Sequence, residues 1–122
     1  MRVSQVEIII PEAVLSVDIP IVISKHRNIR DFAYILHDKD CCAPHYHIYL
    51  IFRWPGESFD ALKDWFKLSK PLFNRVSVCE NSMLLYLLQW HGKSRYKYEY
   101  SLDCLQTSFD VSSLIKRNVN VK

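Results

Sequence analysis

The chain's residue pattern predicts an α+β domain with an antiparallel sheet and helices packed on one face, and three observations carry that prediction. Short β-branched and aromatic runs recur at Val6 to Ile10, Asp31 to Leu36, His45 to Phe52 and Phe73 to Cys79. Apolar residues at helical spacing fall between the third and fourth of these runs, and a second apolar segment follows the fourth. The 122 residues, 49% hydrophobic and 24% charged, suffice for one core and not for two, so a single domain over 1–122 is expected.

Val6 to Ile10 stops at Pro11 and reads as a first strand. Residues 11–28 leave a helical turn and an extended piece equally open, because Asp18-Ile19-Pro20 leads into the β-branched Ile21-Val22-Ile23. Asp31 to Leu36 and His45 to Phe52 are the second and third strands, joined by a short hairpin-like return. Trp54-Pro55-Gly56 signals a turn, after which Ser58 caps a helix with Phe59, Leu62, Trp65 and Phe66 on one face, ending near Ser69-Lys70-Pro71. Phe73 to Cys79 alternates as a fourth strand, and Asn81 or Ser82 then caps a buried helix over the apolar run Met83 to Trp90. This order suits a ferredoxin-like topology.

Several function classes drop out. The longest apolar stretch, Ile8 to Ile23, is interrupted by Pro11, Glu12, Asp18 and Pro20, short of the roughly 18 apolar residues of a membrane span. Residues 1–11 show no secretory cleavage pattern, so a cytoplasmic protein without a membrane partner is expected. Cys41, Cys42, Cys79 and Cys104 lack CxxC spacing, and a bridge between the adjacent pair would be strained; reduced thiols are expected rather than a disulfide framework. Sixteen Lys and Arg against 13 Asp and Glu give +3, which permits a nucleic-acid partner without requiring one.

The chemistry concentrates between Leu36 and Leu50, which holds three of the five histidines. Residues two apart in a strand share a face about 6.5–7 Å apart, so His45 and His47 can turn both imidazoles to one point while Tyr46, Ile48 and Leu50 face the core. His37 and Asp40 close the preceding strand, and a tight return through Cys41 to Pro44 brings them beside that pair. Three imidazoles and a carboxylate suit Mn²⁺ or Mg²⁺, and accept Zn²⁺ or Co²⁺.

On these residues the chain resembles the HUH endonucleases, and within them the plasmid rolling-circle replication initiators. His-Asp-Lys-Asp at 37 to 40 is similar to that group's metal motif, Pro-His-Tyr-His at 44 to 47 to the HUH motif, and Glu80-Asn81 through Met83 to Tyr86-Leu87 to its tyrosine motif, in the same order. The similarity extends from the first strand to about Asp110. It departs in a very short linker between the two metal motifs and in Leu87-Leu88-Gln89-Trp90-His91, which stands where the family has a tighter Tyr-Leu-x-His. The resemblance implies His37, Asp40, His45 and His47 as ligands of a divalent ion, Mn²⁺ or Mg²⁺, and Tyr86 as the nucleophile. It further implies nicking of one strand of single-stranded or cruciform-extruded origin DNA, with a 5′-phosphotyrosine link, a free 3′-OH for rolling-circle replication, and rejoining of strands. Host replication proteins and an oligomer are the partners that such a function implies.

Gly92 to Tyr100 alternates strictly, which in an extended chain puts Lys93, Arg95 and Lys97 on one face and Tyr96, Tyr98 and Tyr100 on the other. With Lys39, these cations are the expected DNA contacts, and an aromatic would stack on an unpaired base. Lys63, Lys67, Lys70 and Arg75 form a second basic set. Competing readings are a single-tyrosine transposase or relaxase, a non-catalytic DNA-binding module, in which Tyr86 lies away from His45 and His47, and a zinc protein using Cys41 or Cys42.

Overall fold

The structure is a computed structural model and describes residues 2–39, 43–69, 72–90 and 98–112. Along the chain it contains β1 (Arg2–Val3), β2 (Gln5–Pro11), α1 (Ile19–Lys25), β3 (Ile29–His37), β4 (His45–Phe52) and β5 (Glu57–Ser58). These are followed by α2 (Phe59–Trp65), β6 (Phe73–Arg75), α3 (Glu80–Leu88), a 3₁₀ turn at Leu102–Cys104 and β7 (Gln106–Thr107). Five strands pair antiparallel in the order β6-β2-β4-β3-β7, and β1 pairs with β5 in a separate ribbon. The α+β class and the antiparallel sheet are as expected. Taken alone, β2-α1-β3-β4-α2-β6 has the ferredoxin-like βαββαβ order, and β7 extends the sheet beside β3.

β4 runs through the middle and is buried on both faces. Its Ile48, Leu50 and Phe52 pack with Ile19 and Val22 of α1 and Leu62 of α2, whereas Tyr49 and Ile51 pack with Met83, Leu84, Leu87 and Leu88 of α3. Thus α1 and α2 share one face, and α3 covers the other, a departure from the one-faced arrangement that the sequence predicts. Apolar residues at nearly every position of β4, without polar alternation, are what burial on two faces demands.

The segment left open by the sequence folds as a helix. The Asp18 carboxylate accepts the Ile21 N–H at 3.3 Å, and Pro20 sits in the first turn, where its missing N–H costs nothing. Ser58 caps α2 as expected, its Oγ accepting the Ala61 N–H at 3.2 Å. Removing that acceptor by Ser58→Ala is expected to lower the unfolding free energy by about 1 kcal/mol, measured as a shift in the urea midpoint at constant slope.

The fourth strand is shorter than expected. β6 stops at Arg75 because its partner β2 begins at Gln5, whose carbonyl takes the last bond, from the Val76 N–H at 3.2 Å. The released chain enters α3 early: Cys79 is the N-cap, without a side-chain cap bond, and Asn81 and Ser82 lie inside the first turn. The helix ends at Gln89, a left-handed residue (φ 61°), where the Gln89 and Trp90 N–H groups close onto the Tyr86 and Leu85 carbonyls at 3.1 and 3.0 Å. No helix among the described residues is long and apolar enough to cross a membrane.

Candidate functional site

Strand register builds the site. His37 stands directly opposite His45, and Ile35 opposite His47, so the three imidazoles share one end of the β3-β4 pair on the face that carries α3. Ring centroids lie 5.5 Å apart for His37 and His45, 4.3 Å for His37 and His47, and 4.9 Å for His45 and His47. One ligand atom from each falls within 4.8 Å of the others; His37 and His47 are buried and His45 is half-buried.

Each ring has an oxygen acceptor beside one nitrogen. His47 Nδ1 donates to Glu7 Oε2 at 2.8 Å, His45 Nδ1 to the Ala43 carbonyl at 2.9 Å, and His37 Nε2 to the Leu87 carbonyl at 2.6 Å. A neutral imidazole that spends its proton on such an acceptor keeps its lone pair on the other nitrogen, the form a metal requires. The donor set therefore fits a divalent ion, and His37, His45 and His47 can hold one. His37 is also fixed from the side by Tyr100, whose ring stacks on it at 4.7 Å and whose hydroxyl accepts the Lys39 N–H at 3.0 Å.

Tyr86 projects from α3 toward the same cluster. Its ring centroid is 5.9 Å from that of His47, edge to face, and its phenol lies within reach of the Glu7 charge. Glu7, only 5% exposed, is shared by His47 and Asn74, the latter donating to Oε1 at 3.3 Å. Burial pushes the Glu7 carboxyl up, but the His47 hydrogen bond, with the Asn74 hydrogen bond and the neighbouring Tyr86 hydroxyl, outweighs it and holds Glu7 below the usual carboxylate range. Burial, then the neighbouring Glu7 charge, pushes the Tyr86 phenol up to about 12.

The depressed Glu7 value has a consequence for stability. A carboxyl with a lower pKa folded than unfolded stabilises the fold above its ordinary value of 4.5, and that contribution is lost as pH falls through the folded pKa. The melting temperature is expected to drop on acidification below about pH 4.5. Glu7→Gln should show a shallower drop across the same window in a series of thermal melts.

Glu7 and Asn74 are the site residues that the sequence reading missed. Their signal was Glu7 itself, the one charged residue in the strand Gln5–Pro11. Lys39 is exposed immediately beyond β3, next to the site. Asp40, Cys41, Cys42, Lys70, His91, Lys93, Arg95, Tyr96 and Lys97 lie outside the described residues. The expected aromatic face takes another form at its described end: residues 98–100 are not a strand, and Tyr100 is buried against His37, with Tyr98 packed on it at 4.9 Å. The second basic set divides. Lys63 and Lys67 border a hollow with Asp60 and Asp64, while Arg75 lines a groove with Tyr86.

No family model matches the chain. The chain is distantly homologous to a replication protein of Onion yellows phytoplasma (strain OY-M), 25% identical over 113 aligned residues covering 79% of this chain. It spans 29% of the length of that relative.

Proposed function

We propose that the domain nicks one strand of DNA at a replication origin by tyrosine transesterification and can rejoin strands. The carrying observation is that Glu7 accepts from His47 of the cluster at 2.8 Å while its charge acts on the neighbouring Tyr86 phenol, whose ring stands edge to face with His47 at 5.9 Å, so one carboxylate adjoins both the proposed nucleophile and a metal-binding group. The distant relation to a replication protein supports DNA as the substrate.

At neutral pH Tyr86 retains its proton, and Glu7, ionised, is the neighbouring carboxylate that can accept it. As the phenol oxygen bonds to phosphorus, the bond from phosphorus to the 3′-oxygen breaks and the phenol proton passes to Glu7. The departing 3′-oxygen takes a proton from solvent. The products are a 5′-phosphotyrosine and a free 3′-OH, and reversal of the same step rejoins the strand. His37, His45 and His47, with Asp40 as the proposed fourth ligand, would hold a divalent ion, Mn²⁺ or Mg²⁺, which would supply Lewis-acid charge for the scissile phosphate. Lys39, at the edge of the site, and Lys93, Arg95 and Lys97 are the proposed phosphate contacts.

The test incubates the protein with Mn²⁺ and a labelled pool of single-stranded oligonucleotides and resolves the products on a denaturing gel. A covalent protein–DNA band is expected that requires metal and disappears in Tyr86→Phe. A band that survives in Tyr86→Phe assigns the nucleophile elsewhere. Tight DNA binding without any band favours a non-catalytic binding module.

A further inference from the structure

β6 and α3 do not close on each other beside Tyr86. Between them lies a groove of about 360 Å³ whose wall includes both Tyr86 and Glu7, so it is continuous with the candidate site. Its lining is mostly apolar and includes Val76, Val78 and Met83, beside Ser77 and Ser82, whose hydroxyl lies 3.2 Å from Cys79 Sγ. Arg75 supplies the cation, and no carboxylate among the described residues pairs with it.

We infer that this groove is a pocket for one unpaired nucleotide, the one next to the phosphate presented to Tyr86. The inference rests on the nicking reading above. Three features select that occupant. The volume lies at the small end of ligand clefts, about 300–1,000 Å³, which suits a base with its sugar and excludes a base pair. Apolar walls interrupted by hydroxyls match a nucleobase, whose faces are apolar and whose edges carry donors and acceptors. A guanidinium beside them matches a phosphate. A strand whose phosphate reaches the Tyr86 hydroxyl must set down its adjoining nucleotide nearby, and the groove shares that tyrosine as wall. The pocket would thereby choose which base flanks the nick.

The probes are the four deoxynucleoside 5′-monophosphates and their nucleosides, titrated without metal into methyl-labelled protein and followed by NMR. Ring-current shifts are expected at the Val78 and Met83 methyls with at least one of the four bases. Ser82→Trp places an indole in the groove from an exposed position and should abolish the shifts while the rest of the spectrum stays native. Arg75→Glu should weaken the monophosphates about tenfold and leave the nucleosides unchanged. Absence of shifts at these methyls with every nucleotide, or shifts that persist in Ser82→Trp, overturns the pocket. The two ideas fail separately: a covalent band without these shifts keeps the chemistry and removes the pocket, and shifts without a band keep the pocket and remove the chemistry.

Discussion

Substituting His47 by alanine is expected to weaken Mn²⁺ binding by more than about a hundredfold and to lower the unfolding free energy by about 1–3 kcal/mol. The two effects have different causes. The first is loss of one of three converging imidazoles. The second arises because Glu7, buried in β2, loses the ring N–H that donates to it at 2.8 Å and keeps only the longer Asn74 bond at 3.3 Å, and an under-compensated buried carboxylate is costly. His45→Ala provides the contrast. That ring is half-buried and donates only to the nearby Ala43 carbonyl, which water can reach. Metal affinity should fall similarly, while stability changes by no more than about 0.5 kcal/mol. Isothermal titration with Mn²⁺ beside urea denaturation of both variants separates the two terms. Equal stability losses in the two variants would remove the supporting role assigned to Glu7.

Leu50→Ala is expected to be the most damaging single truncation in the core, at about 2–5 kcal/mol. Leu50 has no exposed surface, sits at the centre of the central strand, and packs among residues of β2, α1 and α2. It faces away from the histidines, so the loss acts through the scaffold and not through metal contacts. Against a typical domain stability of about 5–15 kcal/mol, this is enough to leave a sizeable unfolded population at 37 °C. Chemical denaturation gives the magnitude; addition of saturating Mn²⁺ should recover part of it, since a ligand that binds only the folded chain stabilises it by mass action.

Strands β3 and β4 were legible because β-branched and aromatic residues dominate them, and the histidine geometry followed from period-two alternation and a tight return. The helix α2 was legible through Ser58 and a single apolar stripe. The segment forming α1 was not, because Ile-Pro-Ile-Val-Ile has strand composition; the Asp18 cap and burial of Ile19 and Val22 outweigh it. The face taken by α3 was hidden in the same way. That helix is apolar nearly all round, so its periodicity names no preferred side, although eight consecutive mostly apolar residues in β4 implied a second covered face. Glu7 escaped because a carboxylate in an apolar strand reveals its role only when the partner strand's register is known. Ile9 pairs with His47, which puts Glu7 on the diagonal beside that ring.

The sandwiching of β4 also determines how the molecule opens. A strand with hydrogen-bonded neighbours on both edges and packed layers on both faces exposes its amides last, close to the global unfolding limit. His45 and His47 belong to that strand, and His37 to its partner β3, so the imidazoles stay assembled through nearly every local fluctuation. Tyr86 rides on α3, a separate layer packed on one face of the sheet and tied to β3 by the His37 bond to the Leu87 carbonyl and by the Arg30–Glu80 pair. Tyr86 and the histidines thus sit on different layers of the molecule, joined at Leu87 through the His37 ring. Any opening of α3 therefore has to break the His37 bond to the Leu87 carbonyl, which couples the layer of Tyr86 to the histidine array.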